Sequence, residues 1–295
     1  MDQRTAAMEG DSLFFEKDRR VDFVIAGTQK GGTTALDFYL RQHSEIGMAD
    51  CKEVHFFDRE EYFRDGTPPY STYHAHFTRN TSCKLLGEAT PIYMYWHDAP
   101  RRIREYNPDV RIIVILRNPI DRAYSHWNML RATGMETLSF REAIHREEER
   151  CYEALPCQHR LYSYVDRGFY VDQLRRIWTC FPEDQTLCLK TENLRDHPQR
   201  TLEDVCRFLR INPPNSIVPQ EVHANLYACS MRRRERDYLR RVFECEIRNL
   251  ERLLGWDCSD WLSETTAARK TMVRVTNSIR RLIPRRARVL RYQSS

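Results

Sequence analysis

The sequence predicts an α/β fold, a doubly wound parallel sheet with helices on both faces, as a single domain with a basic C-terminal extension. Three observations carry that expectation. An apolar run at residues 21–26 passes into a Gly-rich stretch, 27–32, and then into helical spacing at Leu36, Tyr39 and Leu40. A second apolar run at 110–116 (VRIIVIL) is ended by Arg117-Asn118-Pro119. A third short run, 185–189, precedes an amphipathic stretch with Leu202, Val205, Cys206 and Leu209 on one face.

Each element follows from its local pattern. Strand, glycine turn and helix over 21–43 open a parallel sheet, because a parallel neighbour needs a crossover helix. Residues 120–133 form the helix after the second strand. Leu239, Val242, Phe243, Ile247, Leu250 and Leu254 recur at helical spacing and predict a long helix over 238–254. The turn-rich, aromatic region 58–80 reads as a lid or substrate-side loop. The expected division is an N-terminal segment over 1–20, one domain over 21–262 and a basic tail over 263–295.

Composition narrows the function classes. The chain has 295 residues, 41% hydrophobic, with no apolar run long enough to span a bilayer and no signal-like leader, so it reads as a cytosolic enzyme. Ten scattered cysteines form no C-x-x-C pair and no zinc-type cluster, which points to reduced core thiols; Cys229 and Cys258 are the one pair to consider as a disulfide. No metal site is expected. Of the net +5, the tail alone holds nine Lys or Arg and no acid from Thr265 onward. The remainder is therefore mildly acidic. The tail, with Ile279, Leu282, Ile283 and Leu290 among its arginines, has two readings: a basic amphipathic helix making weak contact with anionic membrane, or a solvated or docked terminal helix. No nucleic-acid partner is expected.

The segment Gly27-Thr-Gln-Lys-Gly-Gly-Thr-Thr lies where a strand hands over to a helix, the arrangement that aims backbone N–H groups at an anion. It is P-loop-like but departs from the nucleotide-kinase pattern. Thr33 stands where the lysine should follow the last glycine, and the one lysine, Lys30, is inside the loop. The next strand ends in Arg117, a cation, where a kinase places a metal-holding carboxylate.

With these residues in view, the chain resembles the PAPS-dependent sulfotransferases (PAPS being 3′-phosphoadenosine-5′-phosphosulfate), especially the heparan sulfate N- and glucosaminyl 3-O-sulfotransferase branch and its bacterial relatives. FVIAGTQKGGTTAL (23–36) is similar to the 5′-phosphosulfate loop, which implies cofactor contacts at Lys30, Gly31, Gly32, Thr33 and Thr34. ILRNPIDRAYSHW (115–127) is similar to the 3′-phosphate site and implies Arg117 and Ser125. KEVHFFD (52–58) resembles the segment with the catalytic carboxylate, giving Glu53 that role with His55 beside it. GEATPIYM (87–94) has Ala89 where the 3-O-sulfotransferases have a glycan-contacting lysine, which tells against a polyanionic acceptor. Tyr170 is a candidate beside the adenine, and Arg232 or Arg233, in ACSMRRR, for the loop that closes over the cofactor.

The resemblance implies transfer of a sulfuryl group from PAPS to a hydroxyl, less readily an amine, of a polar small metabolite, natural product or sugar-containing acceptor, without a metal. Lys30 would meet the leaving phosphate and Glu53 would act as base, with His55 on the same side of an extended segment. The alternatives are a P-loop nucleotide kinase or NTPase, and a non-enzymatic protein that binds anionic surfaces through the tail. The oligomeric state is not encoded in any pattern recognised here.

Overall fold

The computed structural model describes residues 19–77, 83–214, 216–218 and 230–263. The chain forms two compact units, residues 1–226 and 227–295.

In the first unit five parallel strands are ordered β2-β3-β1-β4-β5: β1 (Phe23–Gly27), β2 (Ile46–Met48), β3 (Leu85–Ala89), β4 (Arg111–Leu116) and β5 (Thr186–Lys190). β1 is central, with Phe23 opposite Gly87 of β3 and Arg111 of β4. From β1 the chain passes to the edge strand β2, returns to β3 beside β1, and then crosses to β4 and β5 on the other side, so the sheet is doubly wound as expected. Its switch point is the carboxyl end of β1, where such sheets bind ligands.

Successive strand residues point to opposite faces, and both faces are covered. On one side Phe23, Ile25, Ile113, Ile115 and Leu189 pack with Leu36, Tyr39 and Leu40 of helix α1 (Thr33–Leu40) and with Leu202, Val205 and Leu209 further on. Val24, Ala26, Ile112 and Val114, the alternate set, are equally buried. A Cβ on Gly87 would fall 2.1 Å from the Phe23 ring, so β3 can lie beside β1 only with glycine there.

Short helices α2 (Glu60–Phe63) and α3 (Ser71–His74) break up the stretch expected to be a lid or loop. Within it Tyr73 and Phe77 are buried, and Tyr73 packs edge-on and tilted with Phe56, Phe57 and Tyr106, while Tyr62 is exposed. The predicted lid is therefore anchored through a second aromatic core. Helices α4 (Ala99–Tyr106), α5 (Pro119–Ala132), α6 (Phe140–Glu153), α7 (Tyr170–Cys180), α8 (Thr191–Asp196) and α9 (Pro198–Leu209) complete this unit.

The second unit contains α10 (Arg233–Leu254) and α11 (Ser259–Leu262), with Leu239, Phe243, Ile247 and Leu250 on the buried face. Cys258 is a buried free thiol, while Cys229 and the basic tail lie outside the described residues. Among the described residues no helix is long and apolar enough to cross a membrane.

Candidate active site

The loop after β1 is held from beneath. Thr28 N–H donates to the Ile115 carbonyl (3.0 Å), and Gly31 N–H folds back to Thr28 O (2.8 Å). The Thr191 hydroxyl, at the head of α8, donates to Gly31 O (2.5 Å) and Leu116 O (3.1 Å). Gly31 sits against the β4 backbone so closely that a Cβ would be 2.4 Å from Ile115 O. Gly32 caps α1 in the left-handed region (φ 108°) and supplies no side-chain hydrogen bond. The first amides of a helix have no partner within it, so those at the head of α1 are available to an anion. Thr33 is buried and Thr34 exposed at that first turn.

Lys30 is in the left-handed region too (φ 70°), where a residue with a Cβ is strained. Its carbonyl accepts from Arg117 Nη1 (3.1 Å), so the end of β4 is tied to the loop. Burial first, then the Arg117 guanidinium, lowers the Lys30 ammonium from its ordinary value, while the Glu53 charge pulls the other way. α5 starts at Pro119 with the Asn118 side chain accepting from Ile120 N–H (3.0 Å), and carries Ser125 on its buried side.

The opposite wall comes from the segment after β2. It is laid across the end of β3 by Ala49 N–H to Gly87 O (2.9 Å) and Glu53 N–H to Ala89 O (2.9 Å). The expectation of an extended strand here is corrected, because Glu53 (φ 64°) and His55 (φ 56°) are both left-handed. The two side chains nevertheless meet, His55 Nε2 to Glu53 Oε2 at 3.5 Å, through that bent backbone. On its other edge His55 Nδ1 bonds Asp58 Oδ2 (2.9 Å). Asp58 is fully buried and also receives Arg160 Nη1 (2.5 Å).

Charge follows from these contacts. The bond from His55, then Lys52 in direct contact, holds the Glu53 carboxyl at about 2 against the opposing effect of burial. Asp58, then Glu53, raises His55 to about 9. Burial pushes Asp58 up, but His55 and Arg160 outweigh it and keep the carboxyl below its usual range. At neutral pH this is an alternating line of ions: Lys52, Glu53, His55, Asp58, Arg160.

A cavity of about 340 Å³ opens beside that line, lined by Gln29 of the phosphate loop, by Glu53, His55 and Arg59, and by Arg160 and Leu161 from a distant stretch. Of the expected site residues, Glu53 and His55 line this cavity beside Gln29, the neighbour of Lys30 in the loop after β1, while Arg117 is tied to that loop through the Lys30 carbonyl.

Other expectations were placed differently. Tyr170 is fully buried, and its hydroxyl donates to the Arg117 carbonyl (2.8 Å). It therefore supports the strand end that presents Arg117. Arg232 and Arg233 open α10 in the second unit, where Arg232 N–H donates to Glu235 (2.8 Å) and Arg233 faces Asp237 at 3.7 Å. Two buried groups of α5 were not foreseen. Arg122 donates to the Tyr164 carbonyl and has Nε and Nη1 without partners among the described residues; neither ring nitrogen of His126 has one. Arg122 adds to the positive field on Lys30. Asp58, Arg160 and Gln29 were also missed, and only the spacing E-x-H-x-x-D in 53–58 signalled the first of them.

The fold and this crevice define a phosphate-loop transferase in which the loop lysine is offset from the kinase position. The particular family follows from comparison: the sulfotransferase domain model matches residues 20–241, and the chain belongs to that family. It is 31% identical over 204 residues to mouse bifunctional heparan sulfate N-deacetylase/N-sulfotransferase 3, covering 66% of this chain and 23% of that protein. It is 32% identical over 186 residues to human heparan sulfate glucosamine 3-O-sulfotransferase 6, covering 63% and 51%. The matched region thus spans about half or less of these relatives. A solved sulfotransferase from Alicyclobacillus acidocaldarius superposes with a TM-score of 0.73 at 28% identity, covering 83% of this chain and all of that one. The chain is a member of the sulfotransferase family, and its fold is the one expected from the sequence.

Proposed function

We propose that the protein transfers the sulfuryl group of PAPS to a hydroxyl of a polar small metabolite, natural product or sugar-containing acceptor, with amines less favoured. The observation that carries this reading is that Glu53, lining the cavity, is near enough for its charge to act on Lys30 of the loop after β1, both residues being on left-handed backbone. The donor set fits a nucleotide bearing two anionic ends. Lys30, the α1 amides and Thr33 and Thr34 suit the phosphosulfate, while Arg117 and Ser125 suit a 3′-phosphate. Two heparan sulfate enzymes among the relatives support a sugar-containing acceptor.

In the proposed step the acceptor oxygen attacks sulfur, an O–S bond forms, and the bond from sulfur to the 5′-phosphate oxygen breaks. The acceptor proton passes to Glu53, and negative charge gathers on the departing phosphate, where Lys30 is already aimed. A carboxylate held at about 2 is a weak proton acceptor. The acceptor hydroxyl therefore has to replace one of the donors, Lys52 or His55, on Glu53 as it binds. His55, as an imidazolium, is a donor that orients Glu53 and does not itself take the proton at neutral pH.

Turnover with PAPS on an acceptor panel tests the reading through two variants. Glu53→Gln should lose about a hundred- to ten-thousandfold in turnover, as for a positioned base. Lys30→Ala should lose about a hundredfold or more. Calorimetry should show affinity for 3′,5′-adenosine bisphosphate nearly intact in the first and modestly weakened in the second. Full turnover in folded Glu53→Gln would remove Glu53 as the base.

A further inference from the structure

A continuous line of hydrogen bonds, passing through one main-chain carbonyl, joins the phosphate loop to the far end of the Glu53–His55 pair, and it runs through two arginines that no sequence pattern nominated. Arg167 is almost fully buried (1% exposed) with its guanidinium over the Tyr95 ring. Its Nη1 donates to Gln29 Oε1 of the phosphate loop (2.6 Å), and its Nη2 donates to the Arg160 carbonyl (2.5 Å). The Arg160 side chain turns the other way. One arm reaches Asp58 Oδ2 (2.5 Å), the other donates to the Asp58 carbonyl, and the guanidinium lies over Trp96, 4.3 Å from its centre. Trp96 is itself fixed, its indole N–H donating to Glu60 (2.7 Å), which is gripped by the buried Arg102 (2.6 and 3.0 Å).

The fork geometry matters. Arg160 holds side chain and backbone of Asp58 together, which a single point charge cannot do. Asp58 has no other donor among the described residues except His55, and its Oδ1 is buried without a partner. The carboxylate that orients His55 is thus kept in place by Arg160.

We propose that Arg160 is a positioning residue for the Glu53–His55 pair, and that Arg160 with Arg167 forms a strap tying that pair to the phosphate loop through Gln29. The strap lets occupancy of the nucleotide side be felt at the acceptor side before any acceptor binds. The inference rests on the reading of Glu53 as the base, but the strap itself can be tested without turnover.

The readout is the ring nitrogen resonances of His55 in the full-length protein, followed by NMR against pH. The charged groups facing His55 are Glu53, Lys52 and Asp58, with Arg160 on Asp58 and Arg59 donating to the His55 carbonyl (3.0 Å). If Arg160 acted only as a nearby cation, Arg160→Gln would raise the His55 midpoint, because a like charge is removed. Positioning predicts the opposite: with Asp58 loosened, the midpoint falls from about 9 by about one pH unit or more. Arg160→Lys separates the two again and serves if the glutamine variant does not fold. It keeps the charge but loses the fork, so the midpoint should still fall; an unchanged midpoint overturns positioning. For the connection, saturating 3′,5′-adenosine bisphosphate should shift the His55 resonances in the wild type and markedly less in Gln29→Ala. An undiminished shift in that saturated variant overturns the strap. Should Glu53→Gln keep its turnover while these results hold, the base assignment fails and the strap stands.

Discussion

Replacing Arg117 with alanine separates the nucleotide side from the rest of the site. Arg117 stands at the end of β4 with its carbonyl held by Tyr170 and one arm of its fork on the Lys30 carbonyl. In the proposed reading its remaining N–H groups meet a 3′-phosphate. A hydrogen bond to a charged group contributes about 1.5–3 kcal/mol. At about 1.4 kcal/mol per decade, losing one such bond weakens binding of 3′,5′-adenosine bisphosphate by about 10- to 150-fold. Adenosine 5′-phosphosulfate, lacking the 3′-phosphate, should bind the wild type more weakly by a similar factor. In Arg117→Ala that difference should almost vanish. Calorimetry with both nucleotides on both proteins gives the four constants, and the unfolding midpoint without ligand shows that the variant is folded. Equal affinity of the wild type for the two nucleotides would refute the assignment of Arg117 and Ser125.

Three further outcomes follow from the same geometry. Because Glu53 is held at about 2 and His55 raised to about 9, kcat/KM should be level from about pH 5 to 8 and fall above, as His55 loses its proton; a rise through pH 9 would make neutral His55 the base. The linked contributions to stability have opposite signs. That of Glu53 is present above its unfolded value near 4.5 and lost as pH falls through about 2. That of His55 is complete below 6.5 and lost as pH rises through about 9, which urea titrations across these windows would record. Gly31→Ala drives a Cβ into the Ile115 carbonyl and Thr28; it should lower the unfolding midpoint by several degrees and abolish stabilisation by 3′,5′-adenosine bisphosphate, and an unchanged protein would contradict the packing described.

The parts of the site legible in the sequence are those built from contiguous residues. The apolar run of β1, its glycine turn and the start of α1 are one local pattern, as are β4 and Arg117. β3 was not legible as a strand, since Gly87 and Glu88 interrupt its alternation. Only the tertiary fold shows that Gly87 admits the Phe23 ring and that Glu88, raised to about 7 by burial, is bracketed by the Tyr73 (2.7 Å) and Thr90 (2.6 Å) hydroxyls. The Glu53–His55 pairing was expected from a two-residue period in an extended segment, yet it arises from left-handed backbone that no period encodes. Asp58 and Arg160 are 102 residues apart and Gln29 and Arg167 138, so the line behind His55 has no local signature.

The left-handed backbone at Lys30, Glu53 and His55 has a consequence for anyone altering this chain. Such a conformation costs roughly 1–2 kcal/mol at a residue with a Cβ, so the three together hold an amount comparable to much of a domain's net stability. Glycine at Lys30 would relieve that strain, whereas at Glu53 or His55 it would also remove the ion contacts that stabilise the pair. A selection for heat tolerance alone would therefore favour glycine at position 30, the position proposed to meet the leaving phosphate. Screens for robust variants should keep sulfate transfer, and not survival of the fold, as the quantity selected.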